Sequence, residues 1–252
     1  MRAPKAVSIV GFKNAGKTQV VEALVAELTK RSYIVGTLKH TAESLPLDKK
    51  STDTRRHAEA GASASAILSE KRTAIFLQRA ITIQKAVDAL GEVDFIVLEG
   101  FKTLDTVSRI IVPREQAEIK KLSNGLEIAV VDVNGIKPYS VSAPSLNLNN
   151  VKELADIIES RAFPPLAGLN CKACGYPSCH EMGRAVLAGE ANSLKCVKYA
   201  LYMTLKINGS PVPINSFVQS ALRNIVLGFI KTLKETREPR HVELEFEVTD
   251  DD

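Results

Sequence analysis

One short motif near the start of the chain strongly limits the folds that this chain can adopt. The sequence Gly11-Phe12-Lys13-Asn14-Ala15-Gly16-Lys17-Thr18 matches the pattern G-x-x-x-x-G-K-S/T of a phosphate-binding loop. Ala6–Val10 before it is a short apolar run, and the apolar residues after Lys17 recur with helical spacing. A phosphate loop requires this order of strand, loop and helix. The order therefore disfavours a chance match and a glycine-rich turn that only packs a helix on a strand.

Each fixed position of this motif has a chemical reason. Gly11 and Gly16 allow the backbone to curl so that successive N–H groups point at phosphate oxygens, and the following helix offers its positive N-terminal end to the same anion. Lys17 can reach the β- and γ-phosphates of a nucleotide, and the Thr18 hydroxyl can bind Mg²⁺. The motif therefore predicts a nucleotide-binding site.

Three further polar groups stand where such a site needs them. Lys39-His40 and Glu99-Gly100 end two predicted strands, and in open α/β sheets ligands gather at the carboxyl ends of the strands. Glu99 could hold Mg²⁺ through water or orient an attacking water, and Asp53 could bind the metal instead. His40 fits a structural role nearly as well as a ligand contact. The third group, Asp53 to His57, contains Arg55 and Arg56, which suit either a solvated helix face or an anion site.

The four cysteines of the chain all fall in one short segment. Cys171, Cys174, Cys179 and Cys196 have the spacing C-x2-C-x4-C with the fourth cysteine beyond a predicted helix. Structural zinc is an alternative, but zinc ribbons usually present two C-x2-C pairs, so the spacing favours a [4Fe–4S] cluster. The apolar run at the N-terminus is too short for a secretory signal, which disfavours export and disulfide bonds and favours the cytoplasm.

The pattern of apolar residues predicts a nucleotide-binding α/β domain, a small cysteine domain and a tail. Strands that alternate with helices favour a largely parallel sheet with helices on both faces. Pro164-Pro165 ends the last helix of this region. We therefore predict domains over 1–163, 164–200 and 201–252. The predicted strands are Ala6–Val10, Tyr33–Leu38, Ser63–Leu68, Ala74–Leu77, Asp94–Leu98, Arg109–Val112 and Leu126–Val131, and the predicted helices begin at Lys17, Thr82 and Val151.

The tail has a pattern of its own, and the composition excludes some partners. We predict a short α+β tail with a strand, a helix and a strand, from Tyr202–Ile207, the turn Asn208-Gly209, the periodic Ser216–Leu233 and the alternating His241–Val248.

No apolar stretch approaches the ~20 residues that a membrane-spanning helix needs. The net charge of +4 is spread along a chain with no Trp and 5% aromatic residues. Nucleic acid is therefore not an expected partner.

The cysteine segment resembles a known small domain. Leu169 to Cys196, with the core Cys-x-x-Cys-Gly-Tyr-Pro-x-Cys, is similar to the four-cysteine [4Fe–4S] domain of electron-transfer and corrinoid-linked proteins. That resemblance implies that Cys171, Cys174, Cys179 and Cys196 bind the cluster. One departure is that Val197 follows the last cysteine, where members of that family often have proline.

The N-terminal part resembles another family. VSIVGFKNAGKTQVVEALVAEL, VGTLKH, DTRRHAEAGASA and FIVLEGFK, in this order, are similar to the molybdopterin-guanine dinucleotide biosynthesis protein B family. The resemblance implies a cytoplasmic, usually dimeric phosphate-loop protein that binds GTP, hydrolyses it slowly, and assists a nucleotidyltransferase in attaching a guanine nucleotide to molybdopterin. Carried over residue by residue, the nucleotide and Mg²⁺ site comprises Gly11, Asn14, Ala15, Gly16, Lys17 and Thr18, with Lys39, His40, Asp53, Arg56, His57, Glu99 and Gly100 in support.

Two functions remain open at this point. The first is an accessory GTP-binding protein in the maturation of a molybdenum or tungsten pterin cofactor, with a molybdopterin guanylyltransferase or a pterin enzyme as partner. The second is a nucleotide-gated electron-transfer or cluster-delivery protein. The sequence contains no NKxD guanine motif, so Asp132 and Asn134 are only candidates for the base contact. It also shows no arginine placed to speed hydrolysis in cis, which predicts slow turnover.

Overall fold

The computed structural model describes residues 3–41, 48, 52–133, 143–196, 205–212, 214, 216–233 and 242–247. The chain divides into two compact units, Met1–Cys196 and Val197–Asp252. The strands are β1 (Lys5–Val10), β2 (Val35–Lys39), β3 (Ala64–Leu68), β4 (Thr73–Leu77), β5 (Phe95–Glu99), β6 (Ser108–Ile111), β7 (Glu127–Asp132), β8 (Ser145–Asn147), β9 (Leu205–Ile207) and β10 (Ser210–Val212). The α-helices are α1 (Lys17–Lys30), α2 (Asp53–Glu59), α3 (Ile83–Asp88), α4 (Gln116–Leu122), α5 (Val151–Arg161), α6 (Cys179–Leu187) and α7 (Ser216–Ile230).

A parallel sheet of six strands organises the first unit. Its order is β2-β5-β1-β6-β7-β8, and every neighbouring pair runs in parallel. All five residues of β5 are buried, as are five of the six in β1. Burial on both faces explains why these strands read as continuous apolar runs in the sequence. The predicted α/β fold with a largely parallel sheet is confirmed.

Helices cover both faces of this sheet. On one face, Leu24 of α1 and Leu154 and Ile158 of α5 pack in the core cluster that contains Ile9 and Val97. On the other face, the buried Ile119 and Leu122 of α4 join Val10, Ile111 and Val130, while the partly buried Ile83 and Val87 of α3 pack against Ile96 and Leu98. The spacing of Val20, Leu24 and Leu28 at every fourth position gives α1 one buried stripe.

Two short hairpins lie outside the large sheet. β3 and β4 were expected as strands and are strands, but they pair antiparallel with each other in a sheet of their own. In the second unit, β9 and β10 pair antiparallel around Asn208-Gly209, and both turn residues have positive φ. This is the geometry that Asn-Gly favours in two-residue hairpins, so the predicted turn is confirmed.

One predicted strand of the tail is wrong. Val242–Glu247, the described part of His241–Val248, forms no regular secondary structure. Alternation of apolar and polar residues favours a strand only where a partner strand completes its hydrogen bonds. Of the predicted strand Tyr202–Ile207, the structure shows Leu205–Ile207, and 202–204 lie outside the described residues. The helix predicted over Ser216–Leu233 is confirmed and spans Ser216–Ile230.

The cysteine segment packs into the first unit. The Leu166 N–H donates to Thr106 O at 2.9 Å, and Phe163 forms a bridge with Ala6 of β1. In α6, Met182 is fully buried, and the α-carbon of Gly183 faces the side chains of Leu126 and Phe163. The described helices include none that is both long and apolar enough to cross a membrane. The division into 1–163, 164–200 and 201–252 stays a prediction.

Candidate functional site: a phosphate loop and a four-cysteine segment

The phosphate loop joins the end of β1 to the start of α1. A Cβ on Gly11 would lie 2.4 Å from the carbonyl oxygen of Val112, so this position has no room for a side chain. Asn14 and Gly16 have φ values of 61° and 87°, in the left-handed region. These conformations curl the backbone in the way that phosphate loops do, with Gly16 as the residue that caps α1.

Lys17 folds back over this loop. Its Nζ donates to the carbonyl oxygen of Phe12 at 2.6 Å, which places the ammonium group across the curled segment. Burial lowers the pKa of Lys17 from its usual value, the positive charges of Lys102, Lys39 and Arg114 lower it further, and Glu99 acts in the opposite direction. The charged form of Lys17 is therefore less favourable here than in water, and a nearby anion would stabilise it.

Glu99 connects three elements at the carboxyl edge of the sheet. In the parallel register, Glu99 lies opposite Lys39 of β2 and Ile9 of β1. Its Oε1 accepts a hydrogen bond from Thr18 Oγ1 at 3.2 Å and forms an ion pair with Lys39 Nζ at 2.8 Å. The structure thus brings together the hydroxyl and the carboxylate that were expected to serve Mg²⁺.

The turn after β5 carries Gly100 and Phe101, both with positive φ. A Cβ on Gly100 would approach the carbonyl oxygen of His40 to 3.0 Å, so this turn passes close to the end of β2. The His40 ring lies 5.3 Å from the Phe101 ring, measured between centroids. His40 therefore packs on the turn beside Glu99, which agrees with either of the two roles considered for it.

The structure does not join the other predicted polar group to the loop. Asp53, Arg56 and His57 lie on α2, which packs on β3. Arg56 pairs with Asp53 at 3.7 Å, and both side chains are largely exposed. Within the described part of the chain, no hydrogen bond or ion pair links these three side chains to the phosphate loop. Their assignment to the nucleotide site stays a prediction.

Two cations that were not among the predicted site residues lie on the loop. Lys102 Nζ is 4.1 Å from the centroid of the Phe12 ring, and Arg114 Cζ is 5.5 Å from the same centroid. Arg114 Nη1 also donates to Lys13 O at 3.4 Å. A sequence signal existed for both, because each follows the end of a strand that neighbours β1.

A buried carboxylate fixes Arg114. Glu118 is 1% exposed and accepts hydrogen bonds from Arg114 Nε at 2.8 Å, from Nη2 at 2.6 Å and from the backbone N–H at 2.8 Å. Burial alone would raise the pKa of Glu118, but the hydrogen bonds from Arg114 outweigh burial and hold that pKa below its usual value. The guanidinium group is therefore held in one orientation beside the loop.

The far end of the loop meets the end of β7. A Cβ on Gly16 would lie 2.8 Å from Val133 Cγ1, so the residue after Asp132 packs against the start of α1. This places Asp132 near the nucleotide-binding edge, where a base contact was considered. Asn134, the other candidate, lies outside the described residues.

The four cysteines are free thiols that occupy different environments. Cys171 is exposed and stands between Asn170 and Lys172, both of which have positive φ. Cys179 is buried at the start of α6, and its N–H donates to Asn170 Oδ1 at 2.8 Å. Cys196 is buried, and its sulfur accepts the N–H of Ala167 at 3.4 Å.

Four thiols are a suitable ligand set for a cluster, but in this structure the described thiols do not converge on a position for one metal ion. A donor set of four thiols, with an N–H donor to one sulfur, fits either an iron–sulfur cluster or zinc. Among the residues that the structure describes, no three His, Cys, Asp or Glu side chains surround a position for a single metal ion. The assignment of a cluster to Cys171, Cys174, Cys179 and Cys196 stays a prediction.

Two family models match this chain. One, described as "Molybdopterin guanine dinucleotide synthesis protein B", matches residues 6–133, about half of the chain. The other, described as "Putative Fe-S cluster", matches residues 166–198. The first range contains the phosphate loop and Glu99, and the second contains all four cysteines.

Named relatives share different lengths of the chain. A protein of Methanocaldococcus jannaschii, described as a "putative molybdopterin-guanine dinucleotide biosynthesis adapter protein", is 27% identical over 247 residues, which are 97% of this chain and 98% of that protein. The molybdopterin-guanine dinucleotide biosynthesis adapter protein of Haemophilus influenzae is 28% identical over 160 residues, 61% of this chain and 87% of that protein. The first similarity therefore extends through the cysteine segment and into the tail.

One solved structure confirms the fold. The crystal structure of Bacillus subtilis MobB aligns with a TM-score of 0.54 and 20% sequence identity, and the alignment covers 63% of this chain and 98% of that one. At this identity the similarity concerns the fold alone.

Proposed function

Because the chain belongs to the molybdopterin guanine dinucleotide synthesis protein B family, we propose that it is a GTP-binding accessory protein. It assists the synthesis of the guanine dinucleotide form of a molybdenum or tungsten pterin cofactor. The observation that carries the proposal is the phosphate loop, with Lys17 folded over it and Thr18 joined to Glu99. The proposed location is the cytoplasm.

In this proposal different residues of the loop bind the phosphates of GTP and Mg²⁺. Backbone N–H groups of Asn14 to Thr18 bind the phosphates, and Lys17 moves from Phe12 O to the β- and γ-phosphates. The Thr18 hydroxyl and the Glu99 carboxylate would hold Mg²⁺, which would neutralise charge on the phosphates. Hydrolysis is proposed to be slow, as the family resemblance implies. The slow turnover reports a conformational state to the partner.

The choice of GTP over ATP is tested by competition. The full chain, purified without air, is loaded with a fluorescent guanosine triphosphate and Mg²⁺, and unlabelled GTP, ATP and GDP are added in turn. We expect GTP to displace the probe at a concentration at least ten times lower than ATP. Equal displacement by ATP would leave nucleotide binding in place and remove the guanine specificity.

For the cysteine segment we propose a [4Fe–4S] cluster held by Cys171, Cys174, Cys179 and Cys196. A bound cluster would supply one-electron chemistry or brace the segment. The donor set supports the cluster, as does the Ala167 N–H that points at Cys196 Sγ, since hydrogen bonds to sulfur stabilise cluster ligands. Zinc is the competing ligand for the same four thiols.

Metal and sulfide analysis of the anaerobically purified chain decides between iron and zinc. We expect about four iron and four sulfide per chain, a brown colour, and loss of both in Cys196→Ser. The control is Ser193→Ala, near the same turn, which leaves all four thiols in place. A colourless protein with one zinc per chain would contradict the cluster.

The proposed partner is a molybdopterin guanylyltransferase or a molybdenum or tungsten pterin enzyme, and the chain itself is proposed to be a homodimer. Light scattering on the chain alone measures its oligomeric state. The same measurement on a mixture with the guanylyltransferase of the same organism detects the complex. We expect a dimer alone and a larger complex that forms with GTP and weakens with GDP. A monomer that forms no complex with either nucleotide would contradict this assignment of partner.

A second function is favoured by one observation. Cys171 is exposed and Cys174 is half-buried, so a cluster on these thiols would lie near the surface, where electron transfer or cluster delivery is possible. In that case nucleotide binding would gate the movement of electrons or of the cluster. A reduction potential that shifts with GTP would favour this function, and a potential independent of GTP would favour the accessory role.

A further inference from the structure

Two positive side chains outside the motif converge on Phe12, the second residue of the phosphate loop. Lys102 Nζ lies 4.1 Å and Arg114 Cζ 5.5 Å from the centroid of its ring. The faces of aromatic rings attract cations, so Phe12 keeps both charges on the rim of the loop. Neither residue belongs to the sequence pattern that defines the loop.

Arg114 has hydrogen-bonding capacity left for a ligand. A guanidinium group carries five N–H donors, and here Nε–H and one N–H of Nη2 go to Glu118, while one N–H of Nη1 goes to Lys13 O. Two N–H bonds therefore have no partner among the described residues, and about half of the side chain is exposed. An anion beside the loop can accept both from a group that is already oriented.

Among the described residues, Lys102 has no carboxylate partner. Its ammonium group has no hydrogen bond or ion pair within the part of the chain that the structure describes, although its backbone carbonyl is held by Arg109 Nη2 at 2.8 Å. Among the described residues, the carboxylates that contact this group of cations are Glu99, paired with Lys39, and Glu118, paired with Arg114, and Glu115 acts on Arg114 through its charge. Positive charge therefore exceeds negative charge at the rim of the loop. The lowered pKa of Lys17, to which Lys102 and Arg114 both contribute, agrees with this excess.

The position of Lys102 identifies which end of a nucleotide these cations would meet. Mg²⁺ bridges the β- and γ-phosphates in phosphate-loop proteins, so the γ-phosphate lies on the side of the metal-binding groups. Lys102 follows Glu99 by three residues, whereas the opposite end of the loop, at Gly16, packs on Val133. Lys102 is thus on the metal side of the loop, and Arg114 shares the Phe12 ring with it.

We propose that Lys102 and Arg114 bind the terminal phosphate of a nucleoside triphosphate and make the protein distinguish the triphosphate from the diphosphate. The inference rests on the proposed nucleotide binding and names the part of the ligand that these two residues recognise. A diphosphate has no group at this position, so it gains nothing from either side chain.

The test compares affinities for GTP and GDP. Lys102→Met, Arg114→Met and the double variant are titrated with each nucleotide and Mg²⁺ by calorimetry. We expect each single variant to bind GTP about tenfold more weakly, the size of one charge-assisted hydrogen bond, and the double variant roughly a hundredfold. Binding of GDP should stay within about twofold of the wild type. Lys85→Met and Arg79→Met, exposed cations elsewhere in the unit, serve as matched controls.

Several outcomes would overturn the proposal. Variants that weaken GTP and GDP equally would show that Arg114 only fastens the loop through Lys13 O. A wild type that binds both nucleotides with the same affinity would also overturn it, while the proposed GTP-binding function would survive. A wild type that binds neither nucleotide would remove the proposed function itself. Arg114→Lys should restore part of the lost GTP affinity, because it keeps the charge but not the fork of donors.

Discussion

The ammonium group of Lys17 is held in an unfavourable setting. It donates to Phe12 O and lies close enough to Lys39, Lys102 and Arg114 for their charges to act on it. Burial and these neighbours keep its pKa below the value of an unfolded chain. The unfolded chain therefore binds more protons at this site than the folded chain, and the cost to stability is greatest below the folded pKa.

Because the lowered pKa of Lys17 destabilises the folded chain, removing the ammonium group in Lys17→Met should stabilise it. Without nucleotide, the variant should unfold at a higher denaturant concentration than the wild type at pH 7. The difference should shrink as the pH rises through the folded pKa toward the ordinary lysine value of about 10.5. The same variant should bind GTP at least tenfold more weakly. A Lys17→Met protein that is less stable than the wild type at pH 7 would contradict the claim that the charge of Lys17 destabilises the folded chain.

Glu99 has a separate role that a second variant tests. Glu99→Gln keeps the shape of the side chain but removes the charge that Thr18 and Lys39 contact. We expect the gain in GTP affinity on adding Mg²⁺ to fall at least tenfold, because the carboxylate no longer supports the metal. The control is Glu92→Gln, an exposed carboxylate that precedes β5. An unchanged Mg²⁺ dependence would assign the metal to another residue, with Asp53 as the first candidate.

At the scale of elements, one buried arginine fastens the loop that follows β5. Arg109 of β6 is 3% exposed, and its guanidinium group donates to the backbone carbonyls of Leu122, Lys102 and Leu104 at 2.5, 2.8 and 2.9 Å. Burial lowers the pKa of Arg109, while the charges of Glu127 and Asp105 raise it. The segment that carries Lys102 is therefore tied both to the sheet and to the end of α4.

Replacing Arg109 should loosen this segment. In Arg109→Met three buried or half-buried carbonyls lose a charged donor, so we expect the free energy of unfolding to fall by about 3 kcal/mol. Affinity for GTP should also fall, since Lys102 is no longer held at the rim. Denaturant titration measures the first effect and calorimetry the second, with Arg79→Met as the control. A loss of stability without any change in GTP affinity would separate Arg109 from the site.

At the scale of the whole molecule, local patterns predicted most elements but not all of their pairings. The buried strands β1, β5, β6 and β7 were predictable because parallel strands covered on both faces are continuous apolar runs. The strands β3 and β4 were also expected, but no residue in them indicates that they pair only with each other. The prediction of a strand over His241–Val248 was wrong because alternation of apolar and polar residues does not indicate whether a partner strand is present.

The site was predictable where a motif or a strand end fixes the residue. Gly16, Lys17 and Glu99 were found in this way, and the hydrogen bond from Thr18 to Glu99 joins two of these groups. Arg114 was missed although it follows the end of β6, because the contact that places it beside the loop is with Phe12, which lies 102 residues earlier in the chain. Tertiary contacts of this kind leave no local pattern in the sequence.

Packing also relates the two predicted binding regions of the first unit. Cys179 begins α6, whose Met182 is fully buried and whose His180 Nε2 lies 2.6 Å from Asn124 O, just before β7. The cysteine segment therefore shares its packing with the sheet that carries the phosphate loop. Loss of the thiol ligands should therefore lower the stability of the whole first unit and not only that of the cysteine segment.

The most direct test of the account is calorimetric titration of the anaerobically purified full chain with GTP and Mg²⁺. We expect saturable binding of one GTP per chain, and GTP at about 100 times its Kd should stabilise the protein by roughly 2.7 kcal/mol, which raises its Tm. An absence of binding heat together with an unchanged Tm would contradict the claim that the loop between β1 and α1 holds a guanine nucleotide.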